Sequence, residues 1–213
     1  MPPKTSNDSQ MTTQKLLLLT TLCTGVFCTV TSAQSDAGLI GKQYFQVNVV
    51  TEDARKIPVS NGYGFGGGVN LPVLPSLDVA LDASYLRYDD FDFTEHRVNA
   101  LARGHLAETN GIRMFGDVML AYDAQKSVVG GVKYKSDNGL YGIGSGAEVA
   151  VTPATALLVR IARSDWFDHD LDGYWTYTVG ANHWFTPKLN VSADVTWLDA
   201  ETLTYRLSCN VRF

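Results

Sequence analysis

The sequence has few cysteines and, beyond its amino terminus, no long apolar run. There are 3 cysteines in 213 residues. Cys23 and Cys28 lie in the segment predicted below to be removed, which leaves Cys209 alone and excludes an intramolecular disulfide. No segment after residue 33 is apolar over the roughly 18 residues that a membrane-spanning helix needs. If residues 34–213 cross a membrane, they must therefore do so as strands.

Basic residues are also scarce. The chain has 17 Lys and Arg against 22 Asp and Glu, a net charge of -5 at pH 7. Without the amino-terminal segment, which carries Lys4, Lys15 and Asp8, the net charge is near −6. A surface of this sign argues against nucleic acid as a partner.

The amino terminus has the pattern of a secretory signal. Lys15 precedes the apolar stretch 16–30, and the small residues at 31–33 come before Gln34. The stretch is too short for a membrane span and is broken by Thr and Gly. We therefore predict a signal peptide at 1–33, cleaved after Ala33, and a single domain at 34–213.

The last segment of the chain alternates apolar and polar residues without a miss. Its apolar set is Leu203, Tyr205, Leu207, Cys209, Val211 and Phe213. Alternate side chains of a strand point to opposite sides, so one face is apolar and the other polar. A tilted membrane-spanning strand needs about 9–11 residues and an aromatic residue at the interface, and this segment meets both conditions.

Ten segments of this kind can be drawn. They cover about 42–50, 61–70, 77–88, 93–107, 113–123, 139–151, 156–166, 173–185, 189–198 and 202–213. Short connections rich in Pro, Gly and Asn alternate with longer polar ones at 51–60, 89–92, 124–138 and 167–172. Short turns at one end and long loops at the other are typical of an outer-membrane barrel. We predict a closed antiparallel transmembrane β-barrel of ten strands, with eight as the alternative.

Aromatic residues gather at the predicted strand ends. Trp166, Trp175 and Trp197 fall at the loop ends, and Trp184, Phe185 and Phe213 fall at the turn ends. This distribution predicts two interfacial aromatic girdles. A core made of aromatic residues is the alternative, but it would place them at strand centres.

These features together resemble the small outer-membrane barrels of the OmpA-like and opacity-porin type. The resemblance covers most of residues 41–213 and rests on an exported chain of this size, Gly-rich and Thr-Pro turns and a closing strand that ends Val211-Arg212-Phe213. It implies that Tyr205 and Phe213 belong to a terminal signal read by the barrel assembly machinery. Because family members of eight strands are commonest and ten are predicted here, loop functions do not carry over.

If the apolar set faces lipid, the lumen receives a charge network of both signs. Its predicted members are Asp78, Asp82, Glu95, Arg97, Arg103, Asp117, Glu148, Arg160, Asp194 and Arg206, joined by Asn99, His105, Asp123 and Arg212. In a barrel of eight to ten strands such groups must pair with one another or with trapped water. Structural ion pairing and a narrow, gated conduit are both compatible with this list.

One loop contains a candidate catalytic cluster. His169 lies between Asp168 and Asp170, with Ser164 and Asp165 nearby, which suggests an alternative function as a rim-sited protease or lipid-modifying enzyme. No positioned nucleophile can be identified beside it, so we predict no enzyme activity and no cofactor. The loop opens like a calcium loop, but the twelfth position is Val179 instead of Glu, so no metal site is predicted and divalent binding stays open.

The predicted function is a structural or adhesive barrel in the outer membrane of a Gram-negative-type cell, with a narrow pore for small solutes as a further reading. Its expected partners are outer-membrane lipids and lipopolysaccharide, the barrel assembly machinery, and an extracellular ligand or host surface. A secreted, soluble barrel for an apolar ligand is a third possibility. Each reading places the function either in the lumen or on the outer surface.

Overall fold

The chain forms one closed antiparallel barrel of ten strands. The structure is a computed structural model that describes residues 37–54, 61–89, 92–129, 131–168, 170–199 and 202–213. The predicted all-β fold and the strand count of ten are confirmed. Within those ranges no helix is long and apolar enough to cross a membrane. The predicted signal peptide at 1–33 lies outside the described residues and stays a prediction.

The strands follow one another around the barrel in chain order. They are β1 (Tyr44–Ala54), β2 (Gly62–Leu74), β3 (Leu77–Tyr88), β4 (Thr94–Thr109), β5 (Ile112–Val129), β6 (Val132–Thr152), β7 (Thr155–Trp166), β8 (Tyr174–Trp184), β9 (Leu189–Leu198) and β10 (Thr202–Arg212). The closing pair is β1 with β10, from Tyr44 opposite Arg212 to Ala54 opposite Thr202. Closure pairs every strand on both sides, so the wall of the barrel has no free sheet edge.

Turn chemistry sets the two ends of the barrel apart. Asn110 and Gly111 join β4 to β5 with φ angles of 48° and 78°, the left-handed conformation that a type I′ hairpin requires. Pro75-Ser76 and Pro153-Ala154 make equally short connections at the same end. We call this end the turn side and the opposite end, which carries the longer connections, the loop side.

The expected loop at 124–138 is a strand hairpin instead. β5 continues to Val129 and β6 starts at Val132. β4 accompanies β5 only as far as Lys126, and β7 accompanies β6 only as far as Leu140, so the hairpin projects beyond the barrel wall. The prediction was wrong because a two-stranded ribbon outside a membrane needs no apolar face, so its polarity looks like that of a loop. We call residues 126–129 and 131–137 the outer ribbon.

The two faces of the wall have opposite chemistry. On the outward face Val47, Phe65 and Ile143 are 63%, 64% and 65% exposed. On the inward face Asn190 and Asn210 are fully buried. Soluble proteins show the reverse arrangement, with apolar side chains inside. An apolar belt around a polar interior is the pattern of a barrel that faces lipid.

Of the four tryptophans of the predicted girdle, two face outward and two face the lumen. Trp175 is 42% exposed on the outward face, and Trp197 lies opposite Tyr177 and Leu203 on that face. Trp166 and Trp184 face the lumen instead, opposite Leu140 and Asn190. The prediction was wrong for this second pair because neighbouring residues in a strand point to opposite faces, and Phe185 already takes the lipid side next to Trp184.

Candidate functional site in the barrel lumen

The register places all ten residues of the predicted lumen charge network at inward-facing positions. They are Asp78 and Asp82 on β3, Glu95, Arg97 and Arg103 on β4, Asp117 on β5, Glu148 on β6, Arg160 on β7, Asp194 on β9 and Arg206 on β10. They divide into a turn-side cluster, a middle zone and a loop-side cluster. The two clusters satisfy their charges in different ways.

Asp117 is the centre of the turn-side cluster. Arg160 donates from Nε and Nη2 to the two carboxylate oxygens of Asp117, at 2.8 and 2.7 Å. Arg103 approaches the same carboxylate at 3.7 Å and lies over the ring of Phe115, 4.4 Å from its centroid. The side chain of Asp117 is 0% exposed. One buried carboxylate therefore binds two guanidinium groups. Removing any one of the three side chains should destabilise the barrel strongly.

A missing side chain makes room for this cluster. Gly144 lies opposite Asp117 in the register. A Cβ at Gly144 would lie 2.6 Å from Asp117 Oδ1 and 3.0 Å from Arg160 Nη2. The inward-facing glycine of β6 therefore provides the space in which the bidentate pair forms.

Arg97 is the centre of the loop-side cluster. Its Nη2 lies 2.9 Å from Glu95 Oε1 and 2.8 Å from Asp123 Oδ2. Beside it, Glu52 accepts hydrogen bonds from Tyr88 Oη at 2.8 Å and Thr204 Oγ1 at 3.3 Å. The loop-side cluster is thus built from side chains alone, with two carboxylates on one guanidinium.

A small apolar cluster covers this end of the lumen. Val50, Leu86 and Tyr88 are buried inside the barrel, and Phe93 packs against them. The rings of Tyr88 and Phe93 meet edge to face with centroids 4.9 Å apart. Apolar side chains therefore lie beside the charges at the loop side of the lumen.

The middle of the lumen is lined by polar side chains. Asp194 and Arg206 face each other in the register, and Asn99 donates to Asp82 at 2.8 Å. Among the described side chains, Arg206 Nε and Ser208 Oγ are buried polar atoms without a protein partner. Buried polar atoms of this kind are usually satisfied by water.

Residues 37–43 enter the lumen at the turn side, and we call them the N-terminal plug. The backbone N–H groups of Leu39 and Ile40 donate to the two oxygens of Glu148 at 2.9 and 3.2 Å. The N–H of Gly41 donates to Asp78 Oδ2 at 2.8 Å. Two charges of the predicted network therefore bind the chain's own backbone.

The barrel also donates to the plug. Trp184 Nε1 bonds the carbonyl of Ala37 at 2.9 Å, Arg113 Nη1 bonds that of Ile40 at 2.8 Å, and Asn70 bonds that of Lys42 at 2.7 Å. Ala37 is 0% and Ile40 1% exposed. Hydrogen bonds in both directions and an apolar anchor therefore hold the plug in the turn-side mouth.

Two local features shape the plug. Gly41 has φ 75°, which a side chain would strain, and a Cβ at Gly38 would contact the carboxylate of Glu148. Burial, with Arg212 and Arg113 close by, lowers the pKa of Lys42 to about 8. The docked plug therefore depends on small residues and disfavours a charge on Lys42.

Sequence reasoning missed the plug and its anchors. It started the first strand at residue 42, whereas β1 begins at Tyr44. Arg113 and Trp184 were not recognised as plug contacts. The sequence signal for the plug was the short motif Gly38-Leu39-Ile40-Gly41 just before the first strand. Its two consecutive apolar residues break the alternation that a membrane strand requires.

The terminal residues lie on the outer face. Tyr205 is 45% and Phe213 52% exposed. Phe213 stacks on Phe45 of β1, with ring centroids 4.2 Å apart. This contact lies across the seam where the first and last strands meet.

The candidate catalytic cluster is divided by the barrel wall. Ser164 is buried in the lumen, whereas Asp165 bonds Arg163 on the other face at 3.0 Å. Asp168 accepts the N–H of Asp170 at 3.1 Å, and His169 lies outside the described residues. In the part of the chain that is described, no group of three His, Cys, Asp or Glu residues is placed to hold a metal ion.

Comparison with known proteins identifies the fold. No protein-family model and no curated protein matches the chain. The NanC porin structure has a TM-score of 0.51 at 9% identity, over 79% of this chain and 100% of that one. The translocator domain of the autotransporter NalP from Neisseria meningitidis has 0.48 at 10% identity, over 97% of both chains. Neisserial surface protein A has 0.44 at 14%, over 80% and 97%. At such identities the likeness shows the fold alone, that of small outer-membrane β-barrels.

Proposed function

We propose that the protein is a non-enzymatic outer-membrane barrel with a structural or adhesive role. Its lumen is closed in the resting state. The observation that carries this proposal is the occupied lumen. Paired charges fill it, the N-terminal plug enters the turn side, and an apolar cluster covers the loop side. The outer ribbon projects beyond the wall, because β5 and β6 stay paired past their last contacts with β4 and β7. A structural or adhesive role therefore has more support than conduction.

Membrane insertion is tested by migration on a gel. We expect the detergent-folded protein to run faster before heating than after it, since a closed transmembrane barrel stays compact until it is unfolded. Solubility in buffer without detergent, together with unchanged migration, would contradict the membrane barrel. The same result would favour a secreted, soluble barrel.

Adhesion is tested by shortening the outer ribbon. Residues 127–134 are replaced by Asn-Gly, which closes a two-residue hairpin and leaves the wall intact. We expect non-adherent bacteria that display the wild-type chain to bind epithelial cell monolayers, and bacteria with the shortened chain to lose that binding. Both chains must show the same heat-dependent migration. If bacteria with either chain bound the monolayers equally, the ribbon would not be the adhesive part of the protein.

A narrow pore is the second candidate, and the plug favours it. The plug closes the mouth by contacts to a few side chains, above all Glu148, while the middle of the lumen is polar and calls for water. Release of the plug would open a path for small solutes at the turn side. The pore would then be a regulated state of the same barrel.

Planar bilayers test this candidate. We expect rare or no conductance steps from the wild-type chain and defined single-channel steps from Glu148→Ala, because two plug N–H groups lose their acceptor. Asp92→Asn is the control, since Asp92 is an exposed carboxylate that contacts Arg87 at the loop side, the end of the barrel opposite the plug. Silence of Glu148→Ala would contradict a plug-gated pore.

A further inference from the structure

The outer ribbon carries an unusual concentration of positive charge on one face. Lys126 of β5 lies directly opposite Lys135 of β6, and Lys133 lies opposite Val128 on the same side. Like charges directly across an antiparallel pair destabilise it. Asp137, the one carboxylate on this face of the described ribbon, accepts a hydrogen bond from Tyr122 at 2.8 Å. The described ribbon therefore carries three lysines and one carboxylate on this face, an excess of positive charge that favours an anionic partner.

The lysine face continues the lipid-facing side of the wall. Alternation along β5 and β6 puts the three lysines on the same side as Tyr122 and Tyr141, which are 50% and 43% exposed. Lys126 is four residues beyond Tyr122, which at ~3.3 Å per residue and a tilt of about 40° is a height of ~10 Å. An ordinary headgroup layer is about 5–8 Å deep on each side. This height suits a headgroup extended by sugars.

An apolar groove lies directly below the ribbon on the same face. Its volume is about 580 Å³, within the range of small-molecule sites. Ala100 and Ala102 of β4 leave the space, and Leu120, Tyr141 and Ile143 line its side. An acyl chain matches this apolar depression in a surface that already faces lipid.

A cation borders the groove as well. Arg163 lines it, bonds Asp165 at 3.0 Å and lies 5.9 Å from the ring centroid of Trp175. A guanidinium on the lipid side of a barrel is unfavourable away from the interface. Since one of its five N–H donors meets Asp165, the others are available to an interfacial anion.

We propose that the lysine face of the outer ribbon, with Arg163 and the groove below it, binds a phosphorylated glycolipid of the outer leaflet. The phosphates lie against Lys126, Lys133 and Lys135, and one acyl chain lies in the groove. Charge complementarity and headgroup height select this occupant over a neutral lipid or a simple phospholipid. The inference rests on the proposed membrane orientation and names a partner for its outer surface.

The test uses the full-length protein in detergent, with bound lipid detected by native mass spectrometry. The probes are diphosphorylated lipid A, its dephosphorylated form and phosphatidylglycerol. We expect the wild-type chain to retain lipid A about 10- to 100-fold better than the dephosphorylated form, and added NaCl to weaken retention. Equal retention of the dephosphorylated form or of phosphatidylglycerol would overturn the proposal.

Two variants separate the parts of the site. The triple variant Lys126→Gln, Lys133→Gln, Lys135→Gln should lose the preference for phosphate, whereas Arg87→Gln, an outward-facing arginine on β3 paired with Asp92, should keep it. Ala102→Trp should fill the groove and weaken lipid A but not its deacylated headgroup. Unchanged lipid retention in the triple variant, with lost binding of polyglutamate, would assign the lysines to an acidic polypeptide and overturn the lipid site.

Heat-dependent migration of every variant keeps the two proposals apart. A variant that migrates as a folded barrel but retains no lipid A preference reports on the lipid site alone. A wild-type chain that binds lipid A without preference while still migrating as a barrel contradicts this inference and leaves the proposed function standing. A chain that shows no folded form contradicts the proposed function itself.

Discussion

The two ends of the lumen close by different means. At the turn side, carboxylates bind backbone N–H groups of the chain's own N-terminal plug, and Asp117, whose side chain is 0% exposed, holds two arginines. At the loop side, Arg97 holds two carboxylates and is itself 29% exposed. A buried guanidinium that loses its carboxylate stays charged, whereas a buried carboxylate that loses its cation can be neutralised by protonation. The turn side should therefore be the more stable and the less tolerant end.

The largest effect is expected from Asp117→Ala. It leaves Arg160 and Arg103 buried without their shared carboxylate, so we expect the free energy of unfolding to fall by about 3–5 kcal/mol. Urea unfolding in lipid vesicles, followed by tryptophan fluorescence, measures the change. Glu108→Ala is the control at the same end, where an exposed ion pair should contribute less than about 1 kcal/mol. If Asp117→Ala lowered the free energy of unfolding by less than Glu108→Ala, the stability of the cluster would not depend on Asp117.

Arg97→Met should have a smaller effect at the other end. It leaves Glu95 and Asp123 without their cation, but buried carboxylates can be neutralised by protonation, which limits the loss to about 2–3 kcal/mol in the same unfolding experiment. Arg87→Met, an outward arginine that is 56% exposed, serves as the control. If Arg97→Met were as damaging as Asp117→Ala, the contrast between the two ends would fail.

Gly38→Ala tests the plug without removing a charge. The new methyl group would contact the Glu148 carboxylate, so we expect the plug to loosen and the open fraction in planar bilayers to rise by about tenfold. Gly104→Ala is a matched control, because its nearest neighbouring atom would be 3.9 Å away. An equal open fraction in the two variants would show that the docked plug accommodates a methyl group at residue 38.

The smallest effect is expected from pH. Lys42, near Arg113, Arg212 and Glu148, has its pKa lowered to about 8 by burial and the two arginines, so docking favours its neutral form. Docking should therefore strengthen as pH rises from about 8 towards the unperturbed value of ~10.4. In the Gly38→Ala chain we expect the open fraction to fall by about fivefold between about pH 7 and pH 8.7. Adding Lys42→Met should remove this dependence, and a persistent response would point to another group.

The alternation of apolar and polar residues predicted the strands of the barrel wall well, and it predicted the segments outside the wall poorly. The closing strand shows why it worked, since Leu203 to Phe213 can satisfy one apolar and one polar medium only as a strand between them. Asp117 and Arg160 were placed in the lumen by the same rule. Trp184 was misplaced because its position at a strand end was given more weight than its parity.

The sequence by itself determined the all-β class and the inward side of each predicted charge, and it favoured ten strands over eight, because these follow from a period of two along each strand. Only the tertiary structure decided which charges meet, since partners such as Asp117 and Arg160 are 43 residues apart and their pairing depends on barrel register. The docking of the plug was also decided by the tertiary structure. Leu39 and Ile40 reach Glu148 across more than 100 residues of chain, and no local pattern encodes such a contact.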